Sequence, residues 1–271
     1  MRTVIVNSLT DPAGTNIRER LLENYPFKES DTVFDGSSTY ETDPDISLAT
    51  SRSGIVYVDN LDAVFHADRT VFISRHYAES GIPSLTAHFT GNFGKADFGG
   101  NPNEIARFSP SLLKAYMLNL KSISQEISAT YNVTLEATHH GPTALNSTVL
   151  FVELGSTEKE WRDIRGAEKI AGALMKTLTS PLDSNGKIAV CIGGTHYSEK
   201  FNNSLFNSEF MLGPIIPKYG LENLTTDIMT QILSKSERPI RLALVDRKGL
   251  GRFKENVLHL IEQFDLEKIF V

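Results

Sequence analysis

The chain has 271 residues, 40% of them hydrophobic and 22% charged, with a formal net charge of −6. That length can bury a sizeable core, and no segment approaches the roughly 18 apolar residues needed to span a bilayer. The single cysteine, Cys191, excludes an intramolecular disulfide and a cysteine-rich zinc site.

The charge is unevenly spread. Residues 1–70 hold 6 Lys and Arg against 12 Asp and Glu, while the remainder balances at 21 against 21. Residues 235–254 collect Lys235, Arg238, Arg241, Arg247, Lys248, Arg252 and Lys254 against Glu237 and Asp246. Such a segment either meets phosphates or is the solvated face of a strand–helix unit. The N-terminus reads as a strand at once and lacks the apolar stretch and cleavage site of a signal peptide, so a cytoplasmic location is expected.

Thr3–Val6 is short, β-branched and reads as a strand, Asp11-Pro12-Ala13-Gly14 as a turn, and Asn16–Tyr25 as a helix with Ile17, Leu21 and Leu22 on one face. The acidic stretch from Lys28 to Asp45 reads as loops around a short strand at Thr32–Phe34. Ile46–Thr50 and Ile55–Val58 are expected as strands, and Thr70–Ser74 as one suited to the middle of a sheet. Leu85–Thr90 is a further strand, opening into a glycine-rich loop from Gly91 to Pro102 that is expected on the surface near a site. Ser109-Pro110 supplies an N-cap and a first-position proline for a helix whose apolar face includes Leu112, Leu113, Tyr116, Met117 and Leu120. Val133–Thr138 is expected as a strand leading into His139-His140, and Val149–Leu154 as a buried strand. The capping-box spacing of Thr157 and Glu160 opens a long helix through Leu178. Lys187–Ile192 and Ile240–Val245 read as strands, and Leu224–Leu233 and Leu250–Phe264 as helices. This alternation predicts an α/β fold with a largely parallel central sheet flanked by helices. The whole of residues 1–271 is expected as one domain, with a helix-poor elaboration around residues 26–105.

Three predicted strands end alike, in Ser74-Arg75-His76, Thr138-His139-His140 and Gly194-Thr195-His196, and His88 lies in a fourth. Ligands of parallel sheets bind beyond the carboxyl ends of the strands, so these five histidines are expected to converge on one pocket. His66 and His259 lack that setting and read as surface or packing residues. Two chemistries fit. Several imidazoles can hold a zinc ion with Glu136 or Glu153, the metal activating a water. Alternatively a histidine is a general base while backbone N–H groups stabilise an oxyanion. No His-Glu-x-x-His motif decides between them. Adjacent histidines on an extended strand point to opposite faces, so His139 and His140 share a metal only if the chain turns there. A phosphate-binding Gly-x-x-x-x-Gly-Lys-Ser/Thr, a Gly-x-Ser-x-Gly elbow and a dinucleotide fingerprint are absent from the sequence. Cys191, inside an apolar strand, reads as a buried structural thiol.

Taken together, these stretches resemble the archaeal and plant type of D-aminoacyl-tRNA deacylase. The motifs that carry the resemblance are Ser74-Arg75-His76, the run from Gly81 to Asn92, Gly99-Gly100-Asn101-Pro102, Glu136 to Pro142, Glu153 to Trp161, and Gly193 to Tyr197. The resemblance implies hydrolysis of the ester between a D-amino acid and the terminal adenosine of tRNA, a zinc requirement, and action as a monomer without a protein partner. It also implies an α/β fold likened to phosphorylases and peptidyl-tRNA hydrolases. From chemistry and position, His139, His140 and Glu136 are expected to transfer protons, and His76, His88 and His196 to bind the metal. Gly91, Asn92, Gly193, Gly194 and Thr195 are expected to line the substrate, their small size permitting a wall that rejects the L side chain. The competing readings are a zinc-dependent amidohydrolase or phosphorylase-like enzyme acting on small molecules, and a non-enzymatic tRNA-binding module.

Overall fold

The structure is a computed structural model describing residues 1–43 and 45–271; Pro44, inside the stretch read as loop, lies outside the described residues. Strand β1 (Thr3–Ser8) is buried along its whole length, as a β-branched run in the middle of a sheet must be. Helix α1 (Pro12–Asn24) starts four residues before Asn16. Asp11 accepts a hydrogen bond from the Gly14 N–H at 2.8 Å and Pro12 takes the first helical position, so Asp-Pro is a helix start rather than a turn. The acidic stretch is likewise ordered, as the hairpin β2 (Lys28–Phe34) and β3 (Ser37–Thr42). Its two-residue turn places Asp35 at φ 48° and Gly36 at φ 72°, the pair of positive values that an Asp-Gly hairpin turn uses.

Strand β4 (Ile46–Ser51) follows, but Ile55–Tyr57 forms a 3-10 turn and not the expected strand. Next come β5 (Arg69–Tyr77), β6 (Ser84–His88), α2 (Pro110–Ile123) and β7 (Asn132–Leu135). Helix α2 opens as predicted, Ser109 Oγ accepting from the Leu112 N–H at 3.2 Å. The double histidine lies beyond β7 in irregular chain. After β8 (Thr148–Ser156) the capping box supports only the short α3 (Glu158–Trp161). Helix α4 (Ile164–Leu178) begins anew with Asp163 as its cap. The chain ends with β9 (Lys187–Ile192), α5 (Glu199–Asn207), β10 (Phe210–Ile216), α6 (Thr226–Lys235), β11 (Leu242–Val245), α7 (Lys254–Gln263) and β12 (Glu267–Phe270). Strand β10 escaped the pattern because Gly213-Pro214 interrupts its apolar run. The register shifts there, between Leu212 and Ile215, and an edge strand tolerates the proline.

An eight-stranded sheet has the order β2-β3-β4-β1-β5-β8-β6-β7, with β4, β1, β5 and β8 mutually parallel and β6 antiparallel to β8. The α/β class and the largely parallel central sheet are as the alternation predicts. A second sheet, β10-β9-β11-β12, is wholly parallel. One hydrophobic core runs through α1, α2 and α4 and reaches both sheets, with Ile17, Phe108, Tyr116, Leu174 and Val190 all 0% exposed. A smaller cluster around Phe34, Phe65, Phe72 and Phe151 covers the other face of the large sheet beneath loops.

Candidate active site

Period-two alternation in β5, β8 and β6 builds the floor of the site. Val71, Ile73, Leu150, Val152, Leu85 and Ala87 enter the main core, which turns Phe72, Ser74, His76, Phe151, Glu153, Thr86 and His88 to the opposite face. Phe72 and Phe151 stack there with ring centroids 4.7 Å apart. One step along the strands that face becomes polar. Glu153 accepts a hydrogen bond from Ser74 Oγ at 2.7 Å, and its carboxylate lies 3.5 Å from His76 Nδ1 and 3.8 Å from His88 Nε2.

The irregular chain after β7 closes over this floor. The Ala137 N–H donates to His196 O at 2.8 Å and the Thr138 N–H to Ile215 O at 3.0 Å, so the segment is tied to the second sheet. His140 then adopts φ 45°, a left-handed conformation costing a bulky residue of order 1–3 kcal/mol. That turn brings the adjacent rings of His139 and His140 to the same side, 4.4 Å apart by centroid, and sets them 4.2 and 4.9 Å from the ring of His88. The glycine-rich loop rides on the same turn: the Gly141 N–H donates to Phe98 O at 3.0 Å, and a Cβ on Gly141 would come within 2.2 Å of Gly100 N.

The five histidines and Glu136 do converge, but in two groups. In the first, Nδ1 of His88, His139 and His140 faces the carbonyl of Phe89, Ala137 and Gly141 at 3.0, 2.8 and 2.6 Å. A carbonyl only accepts, so each Nδ1 carries a proton, and in the neutral ring Nε2 keeps its lone pair. His88 Nε2 is buried without a hydrogen-bond partner, and one ligand nitrogen from each ring lies within 4.8 Å of the others. Burial, reinforced by the neighbouring imidazoles, holds His140 down to about 3 and His139 well below its ordinary value, so both rings are neutral near pH 7. Burial also lowers His88, but the adjacent Glu153 carboxylate outweighs it and raises that group.

In the second group, the buried Glu136 lies between His196, whose Nε2 is 3.0 Å from Oε2, and His76, whose Nδ1 is 3.0 Å from Oε1. The contact with His76 is off the N–H axis, and Oε1 has no hydrogen-bonded partner. Burial disfavours the ionised carboxyl, yet the two imidazoles overcome this and hold Glu136 well below its ordinary range. Burial likewise opposes protonation of His76, but Glu136 and Glu153 push it up to about 10. Tyr197 Oη sits 3.0 Å from His76 Nε2 and Tyr219 Oη 2.8 Å from His196 Nδ1, so both nitrogens of His196 are hydrogen-bonded, while His76 bonds Tyr197 and keeps its ionic contact with Glu136.

A cavity of about 830 Å³ opens from His139 and His140, lined also by Phe93, Lys95, Phe98, Tyr219 and Asn223. A slightly larger hollow of about 880 Å³ lies at the opposite, N-terminal ends of β1 and β4; His66 is its one imidazole, and it gathers no catalytic cluster. Of the residues expected to line the substrate, Gly91 and Asn92 border the first cavity. The Asn92 amide is spent on the carbonyls of Gly99 and Asn101, and a Cβ on Gly91 would meet Ile105 at 2.7 Å. Gly193 and Gly194 take φ 94° and 84°, and a Cβ on either would meet Asp246 or Ser198, so both serve a tight turn. Thr195 is exposed and bonds Tyr197 O. Sequence reasoning passed over Ser74 and Thr86, although polar residues at alternate positions of apolar strands are a readable sign. Tyr219 follows the unrecognised β10 and had none.

The D-aminoacyl-tRNA deacylase family profile matches residues 64–269. A D-aminoacyl-tRNA deacylase of Cenarchaeum symbiosum is 36% identical over 259 residues, covering 96% of each chain. The enzyme of that name from Pyrococcus furiosus is 36% identical over 273 residues, covering 98% of each. Among solved structures, a conserved protein of unknown function superimposes with a TM-score of 0.91 at 30% identity, over 99% of this chain and 95% of the other. With a family profile spanning most of its length and relatives matching it end to end, the chain belongs to the D-aminoacyl-tRNA deacylase family of hydrolases.

Proposed function

We propose that the chain hydrolyses the ester joining a D-amino acid to the terminal adenosine of tRNA, with a zinc ion at the histidine cluster. The reading is carried by one observation: in a chain similar end to end to proteins named for that activity, the motif histidines and Glu136 gather in one cluster, of which His139 and His140 line a cavity. Residues expected as two functional sets divide differently by distance. His88, His139 and His140 fit a zinc site: each directs Nδ1–H to a carbonyl, His139 and His140 are neutral, and the His88 Nε2 is buried and unpartnered. His196, hydrogen-bonded at both nitrogens, and His76, bonded to Tyr197 and in ionic contact with Glu136, suit the orientation of Glu136.

Zinc held there would polarise the ester carbonyl and acidify a water. Glu136, ionised and with no hydrogen bond to Oε1, takes the proton of the attacking water. The water oxygen bonds to the ester carbon, the carbon–oxygen bond to the ribose breaks, and the proton passes to the ribose oxygen. The products are tRNA with a free terminal hydroxyl and the D-amino acid.

The test is release of amino acid from D-Tyr-tRNA and L-Tyr-tRNA, with enzyme as purified, stripped by chelator, and restored with zinc. The D ester is cleaved, the L ester is not, and stripping abolishes the activity until zinc is returned. Equal cleavage of both enantiomers removes chiral proofreading, and full activity in metal-free enzyme removes the zinc. A small-molecule enzyme or a non-catalytic binder releases neither amino acid.

A further inference from the structure

The strands of the second sheet are all parallel, so the turns after β9, β10 and β11 emerge on one edge. Those turns touch. The Lys218 N–H donates to Gly194 O at 2.9 Å, the Gly193 N–H donates to Ile216 O at 2.8 Å, and a Cβ on Gly249 would come within 2.3 Å of Gly194 N. The first two turns carry His196 to Glu136 and His139, and Tyr219 to the wall of the cavity. A continuous surface therefore runs from the cavity mouth over Lys218 to Arg247, Lys248 and Arg252, all four exposed.

None of these four forms an ion pair among the described residues, and the acid in their midst, Asp246, is neutralised by Lys200 at 2.8 Å. Arg247 stands over the ring of Phe270 at 5.7 Å and Arg252 over Phe253 at 4.8 Å, which holds the guanidinium planes in place. Of the other four cations of the 235–254 segment, Lys254 opens α7, exposed, and three are placed differently. Lys235 is bound to Glu104 at 3.4 Å, Arg238 to Ser184 O and Met211 Sδ, and Arg241 precedes β11 at the far end of its strand. The charged segment thus divides, and one half faces the site.

We propose that Lys218, Arg247, Lys248 and Arg252 form a track for the phosphodiesters of the tRNA 3′ arm, an inference that rests on the activity proposed above. Uncompensated cations beside the cavity of a net-acidic protein fit a polyanion whose reacting end must enter that cavity. The experiment compares wild type, the triple variant Arg247→Ala/Lys248→Ala/Arg252→Ala, and the control Arg238→Ala/Arg241→Ala. Three quantities are read: KM and kcat for D-Tyr-tRNA, hydrolysis of D-tyrosyl-adenosine, and binding of uncharged tRNA across a salt series. The triple variant should raise KM for D-Tyr-tRNA about tenfold and flatten the log–log salt slope by about 2, near 0.7–0.9 per lost contact. Cleavage of D-tyrosyl-adenosine, which has no phosphodiester, and the control variant should stay at wild-type level. An unchanged KM and slope, an equal effect of the control, or a matching loss on D-tyrosyl-adenosine would each overturn the track. Failure of wild type to cleave D-Tyr-tRNA strikes the activity instead, and salt-dependent binding of uncharged tRNA still decides the track.

Discussion

At His140 a left-handed backbone sets two sequence neighbours side by side, and the tautomer of each ring follows from the carbonyl it faces. Two substitutions separate the roles. His88→Ala should abolish the bound zinc measured in the purified protein. Glu136→Gln should keep the zinc and lower kcat by roughly 10²–10⁴-fold, the range for a lost general base. Zinc retained in the first, or lost in the second, would reverse the assignment. The sequence singled out the histidines that converge because they follow apolar, strand-like runs beside glycine and threonine. It could not say which nitrogen each offers, since that depends on carbonyls at Phe89, Ala137 and Gly141 that spacing does not orient.

Among the elements, the glycine-rich loop is the one whose position depends on single atoms. Thr143 Oγ1 donates to Glu104 at 2.7 Å and accepts from the Asn101 N–H at 2.9 Å, fastening the loop behind the double-histidine turn. Thr143→Val leaves the Asn101 N–H unmatched and removes one of the donors to Glu104, and should cost about 1–3 kcal/mol in denaturant unfolding. Gly141→Ala drives a Cβ into Gly100 and should cost about as much through overpacking, with a larger fall in kcat than Thr143→Val because it displaces His140 directly. Burial pushes the Glu104 carboxyl up, but Thr143, Asn101 and Lys235 hold it below its ordinary 4.5. Its contribution is therefore complete above pH 4.5 and drains as pH falls through the depressed value; protection against amide exchange over residues 99–104, corrected for the intrinsic rate, should fall in that acid range. The loop itself was legible from its glycines. Its fastening was not, because Glu104 and Thr143 are 39 residues apart.

For the molecule as a whole, alternating strands and helices were enough to give the class of fold, while the division into two sheets turned on β10, disguised by Pro214. One core reaches both sheets, and the site draws His76, His88 and Glu153 from the large sheet and His196 and Tyr219 from turns of the small one. We propose on that ground that residues 1–271 unfold as a single unit. Far-UV circular dichroism and the fluorescence of Trp161 should give coincident denaturant transitions, and separated midpoints would show two units. The placement of charge adds a consequence for how substrate arrives. The acidic hairpin β2–β3 closes the edge of the large sheet away from β7, whereas the second sheet joins beside β7 and carries the unpaired cations. A protein of net charge −6 repels tRNA at long range, but its two ends do so unequally. With the phosphodiester track proposed above, that field would turn the approaching pair until the cationic edge leads. Orientation is then selected during diffusion, before any atom of the ester meets a histidine.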